Sequence, residues 1–446
     1  MFTKDPTFHK SFWNLFLFLV LQNVILLGVN LLDNIMLGAY SENALAGAAA
    51  VNQIQFLLNQ VFGGLGNGMV VIASQYWGKK DIRPIKPLAG CALVSCLVAG
   101  AAVFVLVGLF PAGALRLFTD DAAIAAEGMR YLAVVKYTYG ILAVTMTLYA
   151  MLRSVEIVRV AVALSAVAVA VNVFGNYLLI YGHMGFPAMG AAGAAWATLA
   201  SRAVELVCLV CYLAFGEKRL SRGGTPVFSV SLWGDYWRVS LPLVIIGFMW
   251  GMSTGLQTVI LGHMSAGAIA ANSIAVNFVM VLKVLATSAA VAASVVVGKA
   301  VGEGDIPKVK EYSRTLQLIF LCIGAFIFAN VFIWRGALLS FYHISETTKD
   351  MAGQFLGVLA VTSFGMAYQM PALGGIVQGG GDTKFVMYND LISVWGIVLP
   401  LSFAAAFRFG WPPVAVLACL HSDQVFKCIP AVIKVNRYRW IKTLTR

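Results

Sequence analysis

Twelve apolar runs of about 20 residues or more, joined by short polar linkers, constrain this chain more than any other feature. Hydrocarbon offers no water to backbone N–H and C=O groups, so such a run must be an α-helix that satisfies its own backbone. The runs lie near residues 12–38, 46–77, 88–110, 128–152, 160–181, 189–215, 238–262, 268–298, 312–334, 352–378, 385–407 and 412–434. Hydrophobic residues fill 60% of the 446 positions and charged residues 11%. The mean hydropathy is +0.85, and no soluble domain is left over. The reading is an all-α membrane protein with twelve transmembrane helices.

The first run follows Lys4 and Lys10 but is too long for the core of a signal peptide, and it lacks a small-residue cleavage site. It is read as the first span. A net charge of +12 raises the question of nucleic acid. With a cytoplasmic N-terminus, 23 of the 31 Lys and Arg fall on inside segments, among them Lys79, Lys80, Arg83, Lys86, Lys218, Arg219, Arg222 and Lys434 to Arg446. Five fall outside (Arg116, Arg130, Arg335, Lys349, Arg408), and Lys136, Arg202 and Lys283 lie within spans. The asymmetry is the positive-inside pattern. It reads as a multi-pass protein of the plasma membrane, a bacterial inner membrane, with both termini cytoplasmic and no nucleic-acid partner. The seven cysteines all fall within spans, and Cys208 with Cys211 lacks a neighbouring His or third Cys, so packing is the better reading than metal or redox chemistry.

An offset of 224 positions aligns Trp13–Lys86 with Trp237–Lys310 without a gap and with 16 identities. Leu37-Gly38 matches Leu261-Gly262, Ala44 matches Ala268, and Gly78, Asp81, Ile82 and Lys86 match Gly302, Asp305, Ile306 and Lys310. Shared apolar composition does not explain a register that keeps Gly, Asp and Lys in loops. A six-span unit is even, so its duplicate keeps the same orientation. The two six-helix bundles are then expected to be related by a pseudo-two-fold along the membrane normal, with the substrate route between them. The expected organisation is an N-terminal lobe at 1–215, a cytoplasmic linker at 216–237 and a C-terminal lobe at 238–446.

Asp33 sits inside the first span, where an ionised carboxylate costs roughly 2.5–3.5 kcal/mol on insertion scales. The offset places Gln257 at the equivalent position, so the charge is confined to the N-terminal half. Depth identifies its neighbours. Asp33 lies about five residues, or ~7.5 Å, below the outer end of its span at Gly38. Asn176 lies at a similar depth below Tyr181, Asn172 is one turn deeper on the same face, and Thr198 on the descending sixth span reaches nearly the level of Asn172. One carboxylate, two amide oxygens and a hydroxyl can converge there, which suits a small hard cation such as Na⁺. Alternatively Asp33 takes up a proton, and the amide and hydroxyl groups hydrogen-bond both of its forms. The shared depth leans the reading towards Na⁺. Asn and Thr also serve as glue between helices.

The ordered set "LLDNIMLG", "SQYWGKKD", "NVFGNYLLIYG" and "GAAGAAWATL" resembles the multidrug and toxic compound extrusion (MATE) family over the whole chain. The resemblance implies a cation-coupled exporter with twelve helices in two six-helix lobes that open in a V. It implies a cation site in the N-terminal lobe at Asp33, Asn172, Asn176 and Thr198. Some members carry Asp where this chain has Asn176, and others carry acids in the seventh and tenth helices, where this chain has none.

A neutral wall for varied amphipathic substrates is expected from Asn52, Gln55 and Asn59 with Gln257, Asn272 and Asn277. Arg202 and Glu205 are expected to neutralise each other, while Lys136, Lys283, Asp390 and Asp423 await partners on other helices or an aqueous cavity. "QGGGDTK" (Gln378–Lys384) lacks the spacing that cradles phosphates and reads as a tight cytoplasmic turn. The expected function is antiport by a monomer. External Na⁺ or H⁺ is exchanged for an internal organic, cationic and amphipathic compound, with no cofactor beyond the coupling ion. A lipid-linked oligosaccharide flippase shares the two-bundle plan but is expected to line its cavity with several cations, and only Lys136, Arg202 and Lys283 are available. A membrane enzyme would need a cluster such as HExxH, and His9, His183, His263, His343 and His421 are scattered.

Overall fold

The computed structural model describes residues 2–217, 230–340, 342 and 344–445; most of the 216–237 linker lies outside the described residues. The helices are α1 (Pro6–Tyr40), α2 (Glu42–Gly78), α3 (Ile85–Leu109), α4 (Ala122–Val135), α5 (Thr138–Ser154), α6 (Arg159–Tyr181), α7 (Ala191–Gly216), α8 (Ser231–Met264), α9 (Gly267–Glu303), α10 (Ile306–Ser340), α11 (Glu346–Val377), α12 (Thr383–Arg408) and α13 (Pro413–Arg437). Among the described residues there is no strand. Eleven of these helices are long and apolar enough to cross a bilayer alone, and α4 with α5 passes the same test as a bent pair, which counted as one span gives twelve. The 35 residues of α1 reach about 52 Å, well beyond a hydrocarbon core of about 30 Å, so its ends project into the interfaces.

The fourth span, read over 128–152, is broken between α4 and α5 by a 54° bend. The break falls at Lys136 and Tyr137. The Thr138 hydroxyl donates to the Val135 carbonyl at 2.6 Å, which takes up an acceptor that a continuous helix would use. The Lys136 ammonium lies over the rings of Phe104 and Tyr137, both 5.5 Å from the centroid.

Equivalent residues of the repeat do equivalent work. Ser41 accepts from Ala44 N at the α1–α2 turn, and Ser265 accepts from Ala268 N at the α8–α9 turn. Asp81 accepts from Arg83 N, and Asp305 accepts from Lys308 N, at the start of the segments that follow. Short polar side chains at helix starts satisfy N–H groups that have no partner inside the helix. That is why Asp recurs in two otherwise divergent loops.

The chain forms two compact units, one of Leu21–Ala73 with Asp81–Val244, the other of Met1–Val20, Ser74–Lys80 and Ile245–Arg446. The division cuts α1 after Val20 and α8 after Val244, positions related by the same offset of 224. The start of α1 belongs to the second unit because Phe8, Phe12 and Phe16 stack at i,i+4 spacing, with Phe8 against Tyr312 at 4.5 Å. The end of α2 joins the same unit through glycine. A Cβ on Gly302 would strike the Gln75 carbonyl, and a Cβ on Gly78 would strike the carbonyl of Lys299, the repeat equivalent of Gln75. The two helix ends therefore cross at backbone contact, by a reciprocal pair of glycines.

The C-terminal segment closes over this crossing. Gln75 donates from Nε2 to the Lys442 carbonyl and accepts from Leu444 N, at 3.1 and 2.8 Å. Trp440 is fully buried where Gly380 leaves room for its ring. Asp382 pairs with Lys434 at 2.7 Å and with Lys442 at 2.8 Å. The 378–384 segment is a turn between α11 and α12, with Gly381 at φ 97°, and it serves as the floor for this strap.

Two outcomes follow from these contacts. Gly302→Val should lower thermal stability in detergent by about 1–3 kcal/mol, because a backbone carbonyl cannot yield to the new side chain. Gly255→Ala, which meets open space, should leave the melting temperature unchanged or slightly raised. Burial raises the Asp382 carboxyl's pKa, but the hydrogen bonds and charges of Lys434 and Lys442 outweigh it and hold the group below its ordinary 3.8. A depressed folded-state value stabilises above the unfolded value and loses that contribution as pH falls through the folded one. Asp382→Asn should therefore melt earlier than wild type at pH 7, and the gap should close as the pH is taken below about 3.8.

Candidate cation site

Asp33 stands on the outer half of α1, in the first of the two units, half-buried and one turn before Leu37. The same unit holds α6 and α7, whose small residues bring them together. A Cβ on Gly175 would approach Ala197 Cβ to 2.9 Å, and one on Gly193 would meet the Leu179 carbonyl. The small-residue run "GAAGAAWATL" thus places Thr198 of α7 against the asparagines of α6. The Tyr181 hydroxyl donates to the Met36 carbonyl at 2.8 Å and ties α6 to α1.

The four residues read from the sequence meet. Asn176 donates from Nδ2 to Asp33 Oδ1, and it also lies 3.4 Å from Asn172 Oδ1. Asn172 in turn donates from Nδ2 to Thr198 Oγ1 at 3.4 Å. Asn172 and Asn176 are almost wholly buried. Asn176 Oδ1 is buried without a hydrogen-bond partner, an orphan acceptor beside a carboxylate. A half-turn of that amide would present its oxygen to whatever Asp33 holds. The donor set is one carboxylate, two amide oxygens and one hydroxyl, which is hard-cation chemistry. No group of three or more His, Cys, Asp or Glu suited to a transition metal occurs among the described residues.

Tyr131 was not singled out from the sequence. It comes from α4, is 5% exposed, and lies in electrostatic reach of Asp33 with its hydroxyl against Thr198. Its only sequence signal was a tyrosine next to Arg130 near the start of the fourth span. Arg202, one turn beyond Thr198, pairs with Glu205 at 2.9 Å as expected, and the Tyr149 hydroxyl donates to Glu205 Oε1 at 2.8 Å. That pairing balances the guanidinium before it reaches the site.

The six wall residues are not brought together within one unit. Asn52, Gln55 and Asn59 lie on α2 in the unit of Asp33, and Gln257, Asn272 and Asn277 lie on α8 and α9 in the other. Gln257 donates to Ser253 Oγ at 3.3 Å, while Asn59 Oδ1 and Asn272 Oδ1 are buried without partners. Asp390 and Asp423 find a partner that sequence reading did not propose: Lys427 bridges them, at 2.8 and 3.0 Å. The i,i+4 spacing of Asp423 and Lys427 was legible; the approach of α12 was not.

Comparison with known proteins places the chain in a family. The family model MatE matches residues 19–178 and 242–404. The uncharacterized transporter YisQ of Bacillus subtilis is 21% identical over 419 residues, covering 92% of this chain and 90% of its own. A probable multidrug resistance protein NorM of Listeria innocua is 25% identical over 409 residues, covering 89% and 88%. Among solved structures, a mutant of the Vibrio cholerae MATE transporter VcmN superposes with a TM-score of 0.88 at 15% identity, over 98% of both chains. The fold is therefore the all-helical arrangement of two six-helix bundles, and the chain belongs to the MatE family of multidrug and toxic compound extrusion transporters.

Proposed function

We propose that this membrane transporter is an antiporter that exports amphipathic organic compounds in exchange for Na⁺ or H⁺ bound at Asp33. The observation that carries the proposal is the Asp33–Asn176–Asn172–Thr198 chain with its orphan Asn176 oxygen. A carboxylate inside a span is costly unless it is used, and its neighbours are oxygens of the kind a dehydrated cation requires. Alternating access by an N-terminal lobe (1–215) and a C-terminal lobe (238–446), in a monomer of the bacterial inner membrane with cytoplasmic termini, is the working scheme. The NorM relatives favour an exporter over a lipid-linked oligosaccharide flippase. Of the two ions the reading leans to Na⁺, because Asn172, Asn176 and Thr198 supply neutral oxygens that a bare proton does not need.

Gradient-driven efflux of a fluorescent dye from vesicles tests the scheme. Asp33→Asn should abolish efflux while the protein still folds, since removing a buried charge does not leave another unpaired. Gln257→Ala should reduce efflux far less, because a neutral amide cannot balance a cation. Full transport by Asp33→Asn would remove the basis of the proposal. At constant pH, efflux should follow an imposed Na⁺ gradient and survive a protonophore; indifference to Na⁺ with collapse under the protonophore would assign the proton instead. Asn176→Asp adds a second carboxylate and should tighten Na⁺ binding while slowing turnover.

A further inference from the structure

Two lysines read within the spans, Lys136 and Lys283, meet aromatic rings rather than an acid among the described residues, and Lys283 lies on the helix that carries the second half's wall residues Asn272 and Asn277. Lys283 of α9 has no Asp or Glu within 4.0 Å among the described residues, although an intramembrane lysine is ordinarily paired. Its ammonium instead lies 4.4 Å from the ring centroid of Trp250 on α8. A cation–π contact attracts the ammonium but leaves its charge unneutralised. The acids that could have answered Lys283 are held elsewhere. Lys427 takes Asp390 Oδ1 and Asp423 Oδ2, and Gln424 Nε2 also donates to Asp423 Oδ2 at 2.8 Å. Asp423 and His421 act on Lys283 only through space.

The repeat gives this lysine a place. The offset of 224 sets Lys283 at the position of Asn59, one of the residues read as substrate wall. Met280 precedes Lys283 by one turn on α9 and is exposed, and Trp250 is 41% exposed, so a thioether and an indole are available in this region. A hydrogen-bonding amide in one half has thus become a cation on an aromatic platform in the other.

We propose that Lys283 and Trp250 form a recognition subsite for a single carboxylate on an amphipathic substrate whose net charge is near zero. This rests on the exporter reading and names the class of compound it carries. The ammonium supplies the charge contact that the protein withholds, and Trp250 with Met280 covers the apolar body of the ligand. The net charge is set by the neighbours. Asp390, Lys427 and Asp423 together carry one surplus negative charge, which opposes a compound with several anionic groups and favours one that also bears a cation.

A matched pair of dyes tests the subsite without any ion gradient. Rhodamine 110 bears a free carboxylate, and rhodamine 123 is its methyl ester, a cation. Equilibrium binding to the purified protein, read by fluorescence anisotropy, should favour rhodamine 110 in the wild type. Lys283→Met should weaken rhodamine 110 binding about tenfold or more and leave rhodamine 123 within about twofold. Lys283→Arg should restore most of the loss, and Trp250→Leu should weaken both dyes. Wild-type preference for the ester, or an equal loss of both dyes in Lys283→Met, would overturn the subsite, and the wild-type comparison stands even if a variant does not fold. Binding without efflux would instead count against the antiport scheme and leave the subsite intact.

Discussion

The interaction on which the rest turns is the hydrogen bond from the Asn176 amide to the Asp33 carboxylate. Hydrocarbon offers no solvent to a charge, so an ionised group in a span must be met by the protein or by something the protein binds. Asp33 is met by neutral groups alone. The neighbouring Arg202 is paired with Glu205, to which Tyr149 also donates. A carboxylate surrounded by amide, hydroxyl and phenol groups, with one acceptor left over, has room in its charge balance for one positive ion.

The same rule, applied to the other half, gives a different answer on a shared frame. Serine caps, aspartate caps and crossing glycines recur at an offset of 224, because turns and close backbone approaches tolerate few residue types. The chemistry is free to diverge between them. Gln257 replaces Asp33, and Lys283 replaces Asn59, so the duplicated scaffold carries a negative charge in one unit and an unanswered positive charge in the other.

The helix ends show how the frame is held. Glycines at 78 and 302 allow two backbones to touch, and the strap around Trp440 then covers the crossing with hydrogen bonds to Gln75 and ion pairs to Asp382. Backbone contact of this kind is intolerant of added volume, whereas the strap is held by charge pairs that respond to pH. Packing and electrostatics thus secure one region by different means.

The sequence by itself determined the spans, the duplication and the cost of Asp33, because hydropathy over 20 residues, a gapless register and a charge in an apolar run are properties of the chain alone. It also placed Asn172, Asn176 and Thr198 near the depth of Asp33, since rise per residue converts position into height. Tertiary structure alone decided which faces meet. Helices apolar all round give no periodicity that fixes their rotation, so Tyr131 beside Thr198, and Lys427 between Asp390 and Asp423, depend on how helices cross. The break at Lys136 and the burial of Trp440 were likewise invisible. The first depends on a hydroxyl competing for one carbonyl, and the second on a glycine sixty residues away leaving space for a ring.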